Sequence, residues 1–103
     1  MYMSIPQPKR EQKYEYIPDD ETRYEVAVDN LAAYIGLLHH QIWDEEAKEK
    51  PNQEKILALQ EQCRIVVQER HEIHFEMRQL VRKALYIYGP ILKAHWSKNN
   101  SGS

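Results

Sequence analysis

The sequence predicts an all-α protein: a long antiparallel helical hairpin with an extended N-terminal arm, dimerising into a four-helix bundle. Three observations carry this expectation. Ile56, Leu59, Cys63, Val66, Arg70, Ile73, Met77, Leu80, Ala84, Ile87 and Ile91 follow one another at spacings of three and four, the a/d pattern of a helix that lies against other helices. Tyr24, Val28, Leu31, Ile35, Leu38 and Ile42 repeat the same alternation earlier in the chain. Between the two stripes stands Lys50-Pro51-Asn52. Proline there ends a helix, and the Asn side chain caps the next one.

The elements follow in order. Residues 1–19 read as an extended or disordered arm, punctuated by Pro6, Pro8 and Pro18 and without an apolar period, because a residue before proline is pushed out of helical geometry. Helix 1 is expected over about 20–49. Asp20 and Glu21 at its start complement the positive helix end. Helix 2 is expected over about 53–88 as one continuous rod, stopped or kinked at Gly89-Pro90. A short helical turn follows at 91–96. Residues 97–103 read as a disordered tail, and Ser101-Gly102-Ser103 has the composition of an appended linker.

Helix 1 carries more apolar surface than one partner helix covers. From Leu31 to Leu38 no side chain is charged or strongly polar, so the apolar surface runs round the whole helix. That surplus predicts self-association through Leu31, Tyr34, Leu37 and Leu38, with Val67 and Val81 from helix 2. Gly36 inside the helix costs about 1 kcal/mol relative to alanine, which predicts close approach of another helix. Arg70 is the one charge in the longer stripe. An ion pair with Asp29 or Glu25 is expected to fix the helix register there.

Composition bounds the function. The chain has 103 residues, 42% of them hydrophobic and 29% charged, with net charge −2. That balance argues against a general nucleic-acid-binding surface. It hides an asymmetry, since residues 20–50 hold eight acids and three bases while 77–98 hold five bases and no acid. A lone cysteine, Cys63, excludes an internal disulfide framework. No apolar run reaches the roughly 18–20 residues of a membrane span, and no secretory signal pattern is present, so the expected setting is cytoplasmic.

Among possible chemistries, the segment Glu69–His74 is the densest polar cluster. His71 and His74 stand three apart and share a face on a continuous helix, which makes them the candidate metal ligands. A ferritin-like metal site needs Glu-x-x-His spacing, and the sequence offers Glu69-x-His71 and Glu72-x-His74 instead. A helical ribonuclease of the HEPN type places a His several residues after an Arg, as Arg64 and His71 do, but Ile65 stands where such proteins carry a polar residue. These two enzyme classes are the rival readings. The main expectation is a non-enzymatic protein–protein interaction module, a small adaptor, chaperone or antitoxin-like regulator, with no cofactor and no bound metal. Its expected partners are a second copy and another protein. Tyr14, Tyr16 and Ile17 of the arm and Arg82, Lys83 and Trp96 near the C-terminus are the expected partner-binding residues, the tyrosines because they bury area at low entropic cost.

Overall fold

The computed structural model describes residues 20–101, with side chains through Lys98. The described residues are all-helical and contain no strand. Helix α1 spans Asp20–Glu46, α2 spans Gln53–Glu72, α3 spans Arg78–Lys83, a π-helical turn spans Ala84–Tyr88, and α4 spans Gly89–Ser101. The last three are contiguous and form one interrupted helix. None is long and apolar enough to cross a membrane. The arm residues Tyr14, Tyr16 and Ile17 lie outside the described residues.

The connection from α1 to α2 is held by one carboxylate. Glu45 is buried and accepts from the Asn52 backbone N–H at 2.9 Å and from Lys48 Nζ at 2.9 Å. Lys55 Nζ stands 3.4 Å away. Asn52 then caps α2, its Oδ1 accepting from the Lys55 backbone N–H at 3.1 Å. Two orphan donors at the helix start are thereby satisfied by Glu45 and Asn52.

The expected single helix over 53–88 does not form. α2 ends at Glu72, and residues 73–77 turn the chain. Backbone bonds from Met77 N to His74 O and from Val81 N to Met77 O close that turn. Neither glycine nor proline marks it in the sequence. The physical reason is tertiary: reversal brings the following segment against α1, which supplies the surface that the apolar surplus needs. Val81, Ala84, Leu85, Tyr88 and Leu92 pack with Ala27, Leu31, Tyr34, Leu37 and Leu38 in one core, completed from α2 by Cys63 and Val66.

Gly89-Pro90 does not stop the helix either. Pro90 lacks an N–H, and its ring crowds the carbonyl four residues back. The π turn immediately before it widens the helix, with the Gly89 N–H bonded to the Ala84 carbonyl. A wide turn of this kind accommodates the proline and shifts the phase of every later residue. Ile87 and Ile91, both in the sequence stripe, are consequently 53% and 40% exposed, while Leu85, Tyr88 and Leu92 are buried. The helix also continues through residues 97–101, expected as tail.

Asn30 ties this irregular turn to α1. Its Nδ2 donates to the Ala84 carbonyl at 3.0 Å in a buried position. A Cβ on Gly89 would stand 3.1 Å from that same Nδ2, so the glycine leaves room for the bond. Gly36, by contrast, has no neighbour within 4 Å of where its Cβ would be. Among the described residues no other helix approaches it closely.

The described residues measure 58 × 37 × 14 Å with a radius of gyration of 16.3 Å. A compact domain of this length has about 12 Å. The thinnest dimension admits at most two helix layers at usual interaxial distances, so each helix keeps an open side.

Candidate functional site

A furrow lies between α1 and α2. One part is lined by Tyr24, Val28, Ile35, Val67, Arg70, His71 and Ile73 and encloses about 370 Å³. The next is lined by His39, Ile42, Trp43, Glu46, Gln60, Cys63, Arg64 and Val67. Val67 belongs to both, which makes the furrow continuous. Its walls are mixed: Arg70, His71, His39, Glu46, Gln60 and Arg64 share them with apolar side chains, of which Trp43 is 65% and Val67 45% exposed and Tyr24, Val28, Ile35 and Ile73 are half-buried. The His39 ring stacks near Trp43 at 6.3 Å. Ala32 and Gly36 are exposed on the same side of α1, one helical turn apart and one turn before His39 and Trp43.

Of the six expected self-association residues, five lie in the protein's own core. Leu31, Tyr34, Leu37, Leu38 and Val81 are buried within a single chain. Only Val67 remains at the open surface. The apolar surplus of helix 1 is real, and α3, the π turn and α4 cover half of it. The half left open is the furrow side, which pattern reading did not separate because both sides of α1 are apolar.

Arg70 is exposed at the furrow edge. Among the described residues no ion pair joins it to Asp29 or Glu25, which are exposed on α1. The charge stays in water rather than in the seam, where it would need a partner.

The polar cluster expected around Glu69–His74 is divided by the turn. Glu69 faces the C-terminal segment. Its Oε2 accepts from Lys83 Nζ at 2.6 Å, and its Oε1 accepts from the Tyr88 hydroxyl at 2.7 Å. Tyr88 lies against Tyr34, with ring centroids 4.6 Å apart. Burial pushes the Tyr88 phenol up, and its bond to Glu69 adds to this. Tyr34 is raised by burial and then by the Glu69 charge. The bond to Glu69 raises Lys83. With one donor on each oxygen, this carboxylate fastens α2 to α3 and the π turn. It also engages Lys83, expected as a partner-binding residue. His71 opens on the furrow, whereas His74 sits in the turn with its ring 5.2 Å from Phe75. The two do not share a helix face. Among the described residues no group of three His, Cys, Asp or Glu gathers to hold a metal ion. Arg64 pairs with Glu61 at 2.7 Å. Cys63 is buried, and burial pushes its thiol up, opposite to the shift that makes a thiolate nucleophile.

The remaining C-terminal candidates, Arg82 and Trp96, are exposed. Arg82 stands over the Tyr86 ring, its guanidinium 5.7 Å from the centroid. Arg23 approaches the same ring at the same distance and donates to the Tyr86 hydroxyl at 3.0 Å. Sequence reasoning missed Arg23, Tyr86, Glu45 and Asn30. A buried Asn on an apolar stripe is the one signal that marks Asn30. Arg23 and Tyr86 pair across 63 positions, a distance that no local pattern reveals, whereas Glu45 pairs locally with Lys48 and Asn52.

Comparison with protein-family models, with curated proteins and with solved structures finds no match to this chain. The class is therefore set by architecture alone: the described residues are all-helical, with an open furrow between α1 and α2.

Proposed function

We propose that this chain is a non-enzymatic protein–protein interaction module, an adaptor, chaperone or antitoxin-like regulator, that first pairs with a second copy of itself. The observation that carries this reading is the furrow. It places Trp43 and Val67 in solvent beside half-buried Val28, Ile35 and Ile73. Contiguous exposed apolar surface of this kind marks an interaction site. In the proposed assembly α1 and α2 form an antiparallel hairpin, and two hairpins join furrow to furrow as a four-helix bundle. Ala32 and Gly36 permit close approach, since among the described residues nothing meets a Cβ at Gly36. Arg70 and Arg64 at the rim can face the exposed acids of α1 in the other copy, which sets register across the interface rather than inside it.

The enzyme classes have less support. Glu69 is held by Lys83 and Tyr88, and His71 and His74 are separated. Sedimentation tests the reading directly. The wild type is expected to sediment as a dimer at micromolar concentration. Val67→Asp, at an exposed position, is expected to sediment as a folded monomer, because the pairing would bury an unpartnered charge. A monodisperse wild-type monomer would remove the self-association reading.

A further inference from the structure

We propose that the pocket between the start of α1 and α3 docks an acidic peptide segment of another protein, one that carries an apolar side chain among its carboxylates. The pocket encloses about 310 Å³, and its lining includes Arg23, Arg78, Arg82, Phe75 and Val81. Three guanidinium groups thus converge on one concavity. Among the described residues none of them has an ion-pair partner. Two of them crowd a single ring, Arg23 and Arg82 each 5.7 Å from the centroid of Tyr86. The three guanidinium groups outnumber the two carboxylates, Asp20 and Glu76, that share the lining, and an arriving carboxylate balances the positive surplus. The planar guanidinium fork matches a carboxylate in two parallel hydrogen bonds.

The Tyr86 ring holds the two cations in place. Arg23 Nη1 donates to the Tyr86 hydroxyl at 3.0 Å, which leaves that hydroxyl's own proton free for an acceptor. Less rotamer freedom is then lost on binding. The apolar part of the recognition falls to Phe75, 55% exposed at the pocket edge, with Val81 behind it. An exposed phenylalanine beside cations fits a segment that alternates acid and apolar residues.

Two features select a peptide over a nucleic acid. Asp20 and Glu76 also line the pocket. Spaced carboxylates on a peptide can pass between them, whereas a phosphodiester backbone presents charge continuously and meets both. The chain as a whole is also net negative. The pocket shares no lining residue with the furrow, so the proposal extends the interaction-module reading to a partner class and is tested by variants outside the self-association surface.

The experiment uses the full chain and a short fluorescein-labelled peptide with glutamates on both sides of a Leu-Phe pair, read by anisotropy. Saturable binding is expected, tightening as salt is lowered. Arg78→Glu and Arg82→Glu, both at exposed positions, are each expected to weaken it about tenfold or more, with an unchanged helical melting curve and unchanged sedimentation. If a charge reversal alters the melt, Arg78→Gln with the salt series gives the same reading. Equal binding of a peptide with glutamine for every glutamate would overturn the proposal. So would wild-type affinity in both charge-reversal variants, or tighter binding of a single-stranded oligonucleotide of similar length. Displacement of the probe by a peptide of residues 1–19 at similar concentration would also overturn it, and would assign the pocket to the chain's own N-terminal segment.

Discussion

α2 and the interrupted helix from Arg78 to Ser101 draw on one apolar stripe in the sequence, yet they use it differently. In α2 the stripe positions Ile56, Cys63 and Val66 are the buried ones. Beyond the turn at 73–77 the stripe continues through Ile87 and Ile91, and these are exposed, while Leu85, Tyr88 and Leu92 take the core. The difference teaches that a heptad stripe encodes a face only as long as the helix is unbroken. The stripe residue Ala84, beyond the turn at 73–77, is still buried, and the wide turn at 84–88 then resets the phase. The C-terminal helix has two apolar stripes, and tertiary packing selects one.

The sharpest way to break this comparison is a pair of alanines two residues apart. Leu85→Ala removes a side chain that is 2% exposed and is expected to cost about 2–5 kcal/mol by urea denaturation. If the unbroken stripe were correct, the loss would fall on Ile87 instead.

The α2 end of the comparison is sharpened by acid. Three donors hold the Glu45 carboxyl down at about 2, the Lys48 bond first and then the Asn52 N–H. A depressed carboxylate contributes stability that is fully present above its unfolded value of 4.5 and is lost as pH falls towards 2. Melting temperatures of wild type and Glu45→Gln should therefore differ most above pH 4.5 and converge as pH approaches 2. A constant gap across that range would show that Glu45 acts through packing alone.

The π turn offers a smaller and more specific test. Asn30→Ala removes a buried hydrogen bond to the Ala84 carbonyl, with an expected cost of about 1–2 kcal/mol. Gly89→Ala gains helix propensity of up to about 1 kcal/mol but sets a methyl 3.1 Å from Asn30 Nδ2. It is expected to be neutral or destabilising in the wild type and stabilising once Asn30 is alanine. A double-mutant cycle measures this coupling, and strict additivity would mean that the glycine and the asparagine do not share the space.

The smallest effect is expected at the exposed stripe. Ile87→Ala, at a position 53% exposed, should change stability by no more than about 0.5 kcal/mol. Together with Leu85→Ala it locates the phase of the C-terminal helix without any structural measurement.

Periodicity and local capping need only neighbouring residues, so much was legible in the sequence. The alternating threes and fours make the described residues helical, and the stripe positions Ile56, Cys63 and Val66 of α2 are buried where the spacing places them. Asn52 caps α2 from a position that its type and its proline neighbour mark. The apolar surplus from Leu31 to Leu38 correctly signals that one partner helix is too few. What occupies the surplus was not legible. The reversal at 73–77 has no glycine or proline, and its driving force is core burial between residues more than forty positions apart. The same holds for Asn30 with Ala84 and for the Arg23–Tyr86 contact.

The sequence by itself determined the helical class, the break before α2 at Pro51 and the need to cover α1, because these follow from spacing and backbone chemistry within a few residues. Only the tertiary structure decided which side of each helix is covered. That choice depends on where the chain turns back, and its energy comes from surfaces that meet only after folding. It is also what leaves the furrow beside Trp43 and Val67 open and gathers Arg23, Arg78 and Arg82 at one pocket.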